Sequence, residues 1–279
     1  GLEISQMTNS TSLPQTADGA LQIDLATIEA AADRIRPHIF KTPLLESPRL
    51  NDFLGRRLLV KAEALQHTGS FKLRGATNAV WSLDDDVRHV VAFSSGNHAQ
   101  GVARAVTTRG LKATIIMPED TPATKIEGTK AYGADVVTYD RYTESREAIG
   151  EALSQKYNAN LIKPYDDVRV IAGQGTVGLE IARQASVMGV VPDALICCCG
   201  GGGLIAGTSI ALHAHFPETK IWCAEPEFYD DTKRSLETGM IERAQTDKSS
   251  ICDAIVTPEP GQLTFPVNRK HLSGGAIVS

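Results

Sequence analysis

Apolar positions along this chain keep two rhythms that take turns. Short runs rich in β-branched residues read as strands: His89–Phe93, Ala113–Met117, Ala134–Tyr139, Asn160–Lys163, Ala194–Cys198 and Lys220–Ala224. Between them, stretches with an apolar residue every three or four positions read as helices: Asn97–Arg109, Pro122–Tyr132, Thr143–Tyr157, Val170–Gln184 and Leu204–His215. Gly110 and Gly133 stand where the first two of these should close. The strands are near-continuous apolar runs, which suits parallel strands buried on both faces. The expected class is therefore α/β, with parallel sheets covered by helices on both faces. Ahead of this alternation, Asp24 is placed to cap a helix carrying Ile28, Ala31, Ala32 and Ile35 and ending before Pro37. Thr42–Leu45 and Leu58–Ala62 read as short strands around a helix that starts at Ser47-Pro48 and stops at Gly55. No internal repeat is visible.

Composition narrows this picture. With 279 residues, 42% hydrophobic and 22% charged, the chain can bury a real core as one large domain or two modest ones. A net charge of −5 argues against nucleic acid or an anionic membrane as the main partner, and no apolar run approaches a membrane span. The segment Gly1–Gln6 ahead of Met7 reads as a tag remnant, residues 1–19 as a polar tail expected to be disordered, and no secretory signal is expected. The five cysteines, Cys197, Cys198, Cys199, Cys223 and Cys252, show no paired C-x-x-C spacing. Three in a row on a strand point to alternate faces and cannot converge on a metal. They read as buried thiols in a reducing cytoplasm.

The candidate chemistry starts at Gln66-His67-Thr68-Gly69-Ser70-Phe71-Lys72-Leu73-Arg74-Gly75-Ala76. Lys72 follows a Thr-Gly-Ser turn and opens the apolar run Leu73, Ala76, Val80 and Leu83, the first turn of a helix. At the positive end of the helix dipole an ammonium is disfavoured, and a neutral amine is what a Schiff base needs. Alone, such a lysine reads as a solvated surface residue. Three strand-to-helix loops add to it, each at the crevice position where open α/β sheets bind ligands. Ser94-Ser95-Gly96-Asn97-His98 offers small residues and free amides suited to a carboxylate, or simply a capped turn. Gly200-Gly201-Gly202-Gly203 has little structural use unless backbone must approach a phosphate at a helix N-terminus. Gly201-x-Gly203-x-x-Ala206, with Glu225 after the next strand, also fits a dinucleotide fingerprint, so a nicotinamide-binding protein is the rival of another class. The turn from Glu225 to Asp231 suits either a hard divalent cation or a helix N-terminus.

Taken together these stretches resemble the serine/threonine dehydratase family, which includes serine racemase. Four segments carry the likeness, in order: Lys61 to Ala76, Ser94 to His98, Ala172-Gly173-Gln174-Gly175-Thr176, and Gly200 to Gly203. The resemblance implies a pyridoxal 5′-phosphate enzyme with the two-domain fold type II architecture, tryptophan synthase β-like, of parallel-rich twisted sheets flanked by helices. It implies a large cofactor-binding domain of 20–88 and 164–279 and a small domain of 89–163. By the same resemblance Lys72 is the Schiff-base lysine and proton shuttle, and Phe71 lies against the cofactor ring. Asn97 bonds its phenolic oxygen, Gly200, Gly201, Gly202 and Gly203 take its phosphate, and Ser273 faces its pyridine nitrogen.

Ser94, Ser95, Gly96, Asn97 and His98 would bind the substrate, with Ser95 as a second acid/base. Glu225, Tyr229 through its carbonyl, and Asp231 match a divalent-cation site for Mg²⁺ or Ca²⁺. The implied reaction is α,β-elimination from L-threonine, L-serine or another 3-hydroxy amino acid, giving a 2-oxo acid and ammonia. Ser95 raises the alternatives of serine racemase or threo-3-hydroxyaspartate dehydratase. A homodimer is the default assembly. The tail departs from the family: His271-Leu272 runs almost directly into Ser273, where a few dozen residues normally intervene, so an omitted stretch is expected there.

Overall fold

The computed structural model describes residues 23–279, so the expected tail of residues 1–19 lies outside the described residues. In chain order the elements are α1 (Leu25–Ile35), β1 (Leu44–Glu46), α2 (Pro48–Leu54), β2 (Leu59–Lys61), α3 (Lys72–Trp81), β3 (His89–Phe93), α4 (Asn97–Thr108), β4 (Lys112–Pro118), α5 (Ala123–Ala131) and β5 (Asp135–Tyr139). They continue with α6 (Arg146–Tyr157), β6 (Asn160–Leu161), α7 (Val168–Val187), β7 (Ala194–Cys198), α8 (Gly203–His215), β8 (Lys220–Pro226), α9 (Asp231–Thr238), α10 (Thr264–His271) and β9 (Gly274–Val278). Asp24 closes a full capping box on α1, and Ser47 and left-handed Gly55 bound α2 as the sequence implies.

Two parallel sheets organise the molecule. One has the strand order β5-β4-β3-β6, the other β7-β8-β9, and β1 and β2 form a separate antiparallel pair. The four-stranded sheet is covered on both faces. Val90, Ala92, Ile115 and Met117 pack on Ala76 and Val80 of α3 and on Ala99, Val102 and Val106 of α4. The opposite face, Val91 and Ile116, packs on Ile149 and Leu153 of α6. Each such fully buried branched side chain contributes about 1.5–3 kcal/mol.

The three-stranded sheet differs from expectation. Leu195, Cys197, Ile221 and Cys223 pack against Ile181 of α7 and Ile205 and Leu212 of α8. The alternate positions are open: Ile196 is 70% exposed and Val278 56%. No described helix lies over that face, so the two-sided coverage inferred from apolar strands holds for one sheet only.

Smaller corrections have local causes. The helix expected from Thr143 begins at Arg146 because Ser145 accepts the Ala148 amide and caps it, while Asp140 ties up the preceding turn. The strand expected over Asn160–Lys163 pairs with β3 only at Asn160 and Leu161. Cys198 and Cys252 are exposed, so the thiols are not uniformly buried, though all five are free. Helix α9 starts where the Glu225 to Asp231 turn offered a helix N-terminus, while α10 and strand β9 have no counterpart in the sequence reading. Apart from Leu236, α9 is polar, and α10 carries Pro266, which obscures its period.

Candidate active site

Lys72 opens α3 at the end of a turn that the chain fixes firmly. Gly69 takes φ +74°, its amide donates to the Gln66 carbonyl (2.8 Å), and the Lys72 amide donates to Ser70 Oγ (3.3 Å). Gln66 is itself clamped: its side-chain amide donates to the Phe40 carbonyl and its Oε1 accepts the Phe40 amide, both at 2.8 Å. The Lys72 Nζ donates to the Pro164 carbonyl at 2.8 Å, 5.5 Å from the Phe71 ring centroid, and pairs with no carboxylate. Burial pulls this amine down to about 8, against a small opposing effect of the Cys198 thiol. The cause is desolvation.

The Ser94–His98 loop follows β3 and starts α4. The Gly96 amide donates to Ser94 Oγ (3.1 Å), and no described acceptor takes the amides of Ser95, Asn97 or His98. Asn97 is exposed to the cleft. His98 is different. Its Nε2 donates to the Ile162 carbonyl (3.1 Å), its Nδ1 is buried without a partner, and burial drags it down to about 3. What His98 offers an anion is therefore its amide and not its imidazole.

Gly200 to Gly203 link β7 to α8, and again no described acceptor takes their four amides. Gly202 sits at φ +92°, and a Cβ on Gly201 would stand 2.3 Å from the Tyr165 ring. All three stretches line one cleft of about 1170 Å³ at the C-terminal ends of β3 and β7. A desolvated amine without a counter-charge at one point of the cleft and four open amides at a helix N-terminus fit an aldehyde bearing a phosphate. Lys72 would hold the first and Gly200 to Gly203 the second.

Two expected groups fall elsewhere. Ser273 is exposed, does not line the cleft, and its amide donates to the Ile221 carbonyl (2.7 Å) at the start of β9. That is the N-terminal edge of the parallel sheet, roughly 13 Å along the strands from the glycine loop. Ser273 therefore does not face a cofactor in this cleft. The chain passes from α10 through Leu272, which packs against the core of the three-stranded sheet, directly into β9.

The Glu225 turn lies behind the cleft, at the N-terminus of α9. Glu225 accepts the amides of Thr232 (2.9 Å) and Lys233 (2.8 Å), so it caps that helix, and it stands outside the cleft that the glycine loop lines. This removes the dinucleotide reading. Tyr229 Oη donates to the Lys248 carbonyl (2.7 Å), and Asp231 Oδ2 is buried without a partner. Burial, then the Glu225 charge, pushes Asp231 up to about 7. An orphaned carboxylate oxygen beside a second acid fits a divalent cation, although no group of three acidic, His or Cys ligands exists among the described residues.

Sequence reasoning missed Pro164, whose carbonyl holds the Lys72 amine, and Tyr165, whose ring packs on Gly201. Neither carries a motif; only the parallel pairing of β6 with β3 brings them to the lysine.

Comparison with known proteins gives the family. The family model "Pyridoxal-phosphate dependent enzyme" matches residues 35–279. The chain is 43% identical over 251 residues to L-threo-3-hydroxyaspartate ammonia-lyase of Saccharomyces cerevisiae, covering 89% of this chain and 76% of the relative. It is 40% identical over 260 residues to serine racemase of Dictyostelium discoideum, covering 92% and 79%. The crystal structure of the T.th. threonine deaminase superposes with a TM-score of 0.87 at 46% identity, over 92% of this chain and 82% of that one. With a half-buried lysine that meets no carboxylate and a tetraglycine loop lining one cleft, the chain belongs to the pyridoxal-phosphate dependent enzymes of fold type II.

Proposed function

We propose that this protein is a pyridoxal-phosphate-dependent ammonia-lyase that converts a 3-hydroxy amino acid to a 2-oxo acid and ammonia by α,β-elimination. The observation that carries the reading is the pairing of the desolvated Lys72 amine with the open amides of Gly200–Gly203 across one cleft. Relatives named as hydroxyaspartate ammonia-lyase and serine racemase support it. When bound, the cofactor supplies an electron sink that acidifies the substrate's α-hydrogen and eases departure of its β-hydroxyl.

The chain's own residues do the rest. Gly200, Gly201, Gly202 and Gly203 would hold the phosphate, Phe71 would pack on the ring, and Asn97 would bond the phenolic oxygen. The amides of Ser95, Asn97 and His98, with Ser94 and Gly96 shaping the loop, bind the substrate carboxylate. Lys72 Nζ takes and returns the α-proton, a role its lowered basicity suits near neutral pH. Glu225, the Tyr229 carbonyl and Asp231 bind Mg²⁺ or Ca²⁺, which would neutralise the buried acid pair. The catalytic unit comprises a large domain of 20–88 and 164–279 and a small domain of 89–163. We place it as a homodimer in the cytoplasm, where five free thiols persist. Among the described residues no helix is long and apolar enough to cross a membrane.

The test is release of 2-oxo acid from L-threonine, L-serine and L-threo-3-hydroxyaspartate by wild type and Lys72→Ala. Wild-type-rate turnover by the variant sinks the proposal. A second reading rests on Ser95, a hydroxyl in the carboxylate loop that can act as a further acid/base. Chiral analysis of the remaining amino acid, with Ser95→Ala as control, decides it: no D-isomer from wild type removes racemisation.

A further inference from the structure

Helix α10 lies behind the glycine loop and outside the cleft, yet it sends two fully buried polar side chains into that loop. Thr264 Oγ1 donates to the Gly201 carbonyl at 2.6 Å and Asn268 Nδ2 donates to the Gly202 carbonyl at 3.3 Å. The Gly261 amide adds a third bond to the loop, the second on the Gly201 carbonyl, at 3.2 Å. On the other side the Tyr165 ring closes on Gly201, where even a Cβ would stand 2.3 Å away. The loop is thus gripped from both sides.

The direction of that grip matters. In a trans peptide the C=O of one residue and the N–H of the next point opposite ways. Drawing the Gly201 and Gly202 carbonyls toward α10 therefore turns the Gly202 and Gly203 amides away from it. Those amides have no described acceptor, and the loop they belong to lines the cleft that α10 does not reach. Left ungripped, glycines rotate freely, and an anion would have to bear the cost of ordering four of them. We propose that Thr264 and Asn268 are positioning residues that pre-set the Gly202 and Gly203 amides for the phosphate of the cofactor. This rests on the cofactor reading above, and it assigns to α10 a part in binding a group it never touches. Thr264 carries more of the effect than Asn268, because its bond is shorter and its carbonyl lies outside α8.

The decisive measurement compares two ligands that differ only in the phosphate. Dissociation constants for pyridoxal phosphate and for pyridoxal are determined on the cofactor-stripped full chain, for wild type, Thr264→Val and Thr264→Ser. Thr264→Val should weaken pyridoxal phosphate about tenfold, the loss of one buried hydrogen bond, and leave pyridoxal unchanged. Thr264→Ser, which keeps the hydroxyl, should restore the phosphate preference. Equal weakening of both ligands, or a preference undiminished in Thr264→Val, overturns the proposal. A wild type that binds both ligands equally well overturns the phosphate-cradle reading itself, and is seen without any variant.

Discussion

Lys72 and Arg74 stand two residues apart in the first turn of α3, and both bring a cation indoors. Their surroundings are opposite. Arg74 is fully buried and donates to Glu63 at 2.8 and 2.6 Å, to Glu180 at 2.9 Å twice, and to Thr176 at 3.2 Å. Lys61 completes the cluster at 2.6 Å from Glu180. Burial alone would lower the guanidinium, but its bonds to the two carboxylates more than reverse that. Lys72 meets one carbonyl and no acid, so burial wins and its proton is loosely held. Neutralised charge holds the lysine turn in place; charge left without a partner is available for chemistry.

The contrast breaks most visibly under substitution. Arg74→Leu leaves Glu63 without its cation and Glu180 with Lys61 alone, and should cost about 3–5 kcal/mol of stability in urea unfolding of cofactor-stripped protein. Lys72→Leu removes a desolvated amine that has no counter-charge, and should leave the same unfolding midpoint unchanged or raised. Its 2-oxo acid release should nonetheless fall by about a thousandfold or more. Equal destabilisation by the two variants would mean that both cations serve the fold.

Titration sharpens the same point. A carbonyl condenses only with the neutral amine, and the Lys72 amine loses its proton near 8 rather than at its ordinary 10.5. Rebinding of pyridoxal phosphate, followed by absorbance, should therefore quicken about tenfold for each pH unit up to about 8 and level off above it. A profile still rising through pH 10 would show that the amine is solvated.

Much of this was readable from local pattern. Asp24, Ser47 and Gly55 carry cap chemistry in their own residue type, and β3 and β7 begin and end where the apolar runs do. The cleft was legible because its parts are strand-to-helix loops, whose place in a parallel sheet follows from connectivity. What stayed hidden depends on contacts far apart in sequence. Pro164 meets Lys72 across 92 residues, and Thr264 meets Gly201 across 63. The lowered basicity of Lys72 follows in direction from its place at a helix start, which is visible in sequence, while the desolvation that lowers it is not. The open face of β7 misled for a similar cause: an apolar strand tells what it could bury, not whether anything lies over it.

Ser273 gives the smallest expected effect and the sharpest check on motif reading. Ser273-Gly274-Gly275 looks like a cofactor motif as a string, yet Gly274 and Gly275 pair with Trp222 and Cys223 as the first rungs of β9. A Cβ on Gly274 would stand 2.6 Å from the Trp222 ring, so glycine there answers to sheet packing and not to a ligand. The Ser273 hydroxyl is exposed, and the bond that anchors the residue comes from its backbone amide, which alanine retains. Ser273→Ala should therefore leave cofactor absorbance, cofactor affinity and turnover within about twofold of wild type, as befits a surface substitution. Ser95→Ala, in the cleft, should alter turnover or the D-isomer yield under the same assay. A shifted cofactor spectrum in Ser273→Ala would put that hydroxyl against the ring and undo the placement of β9.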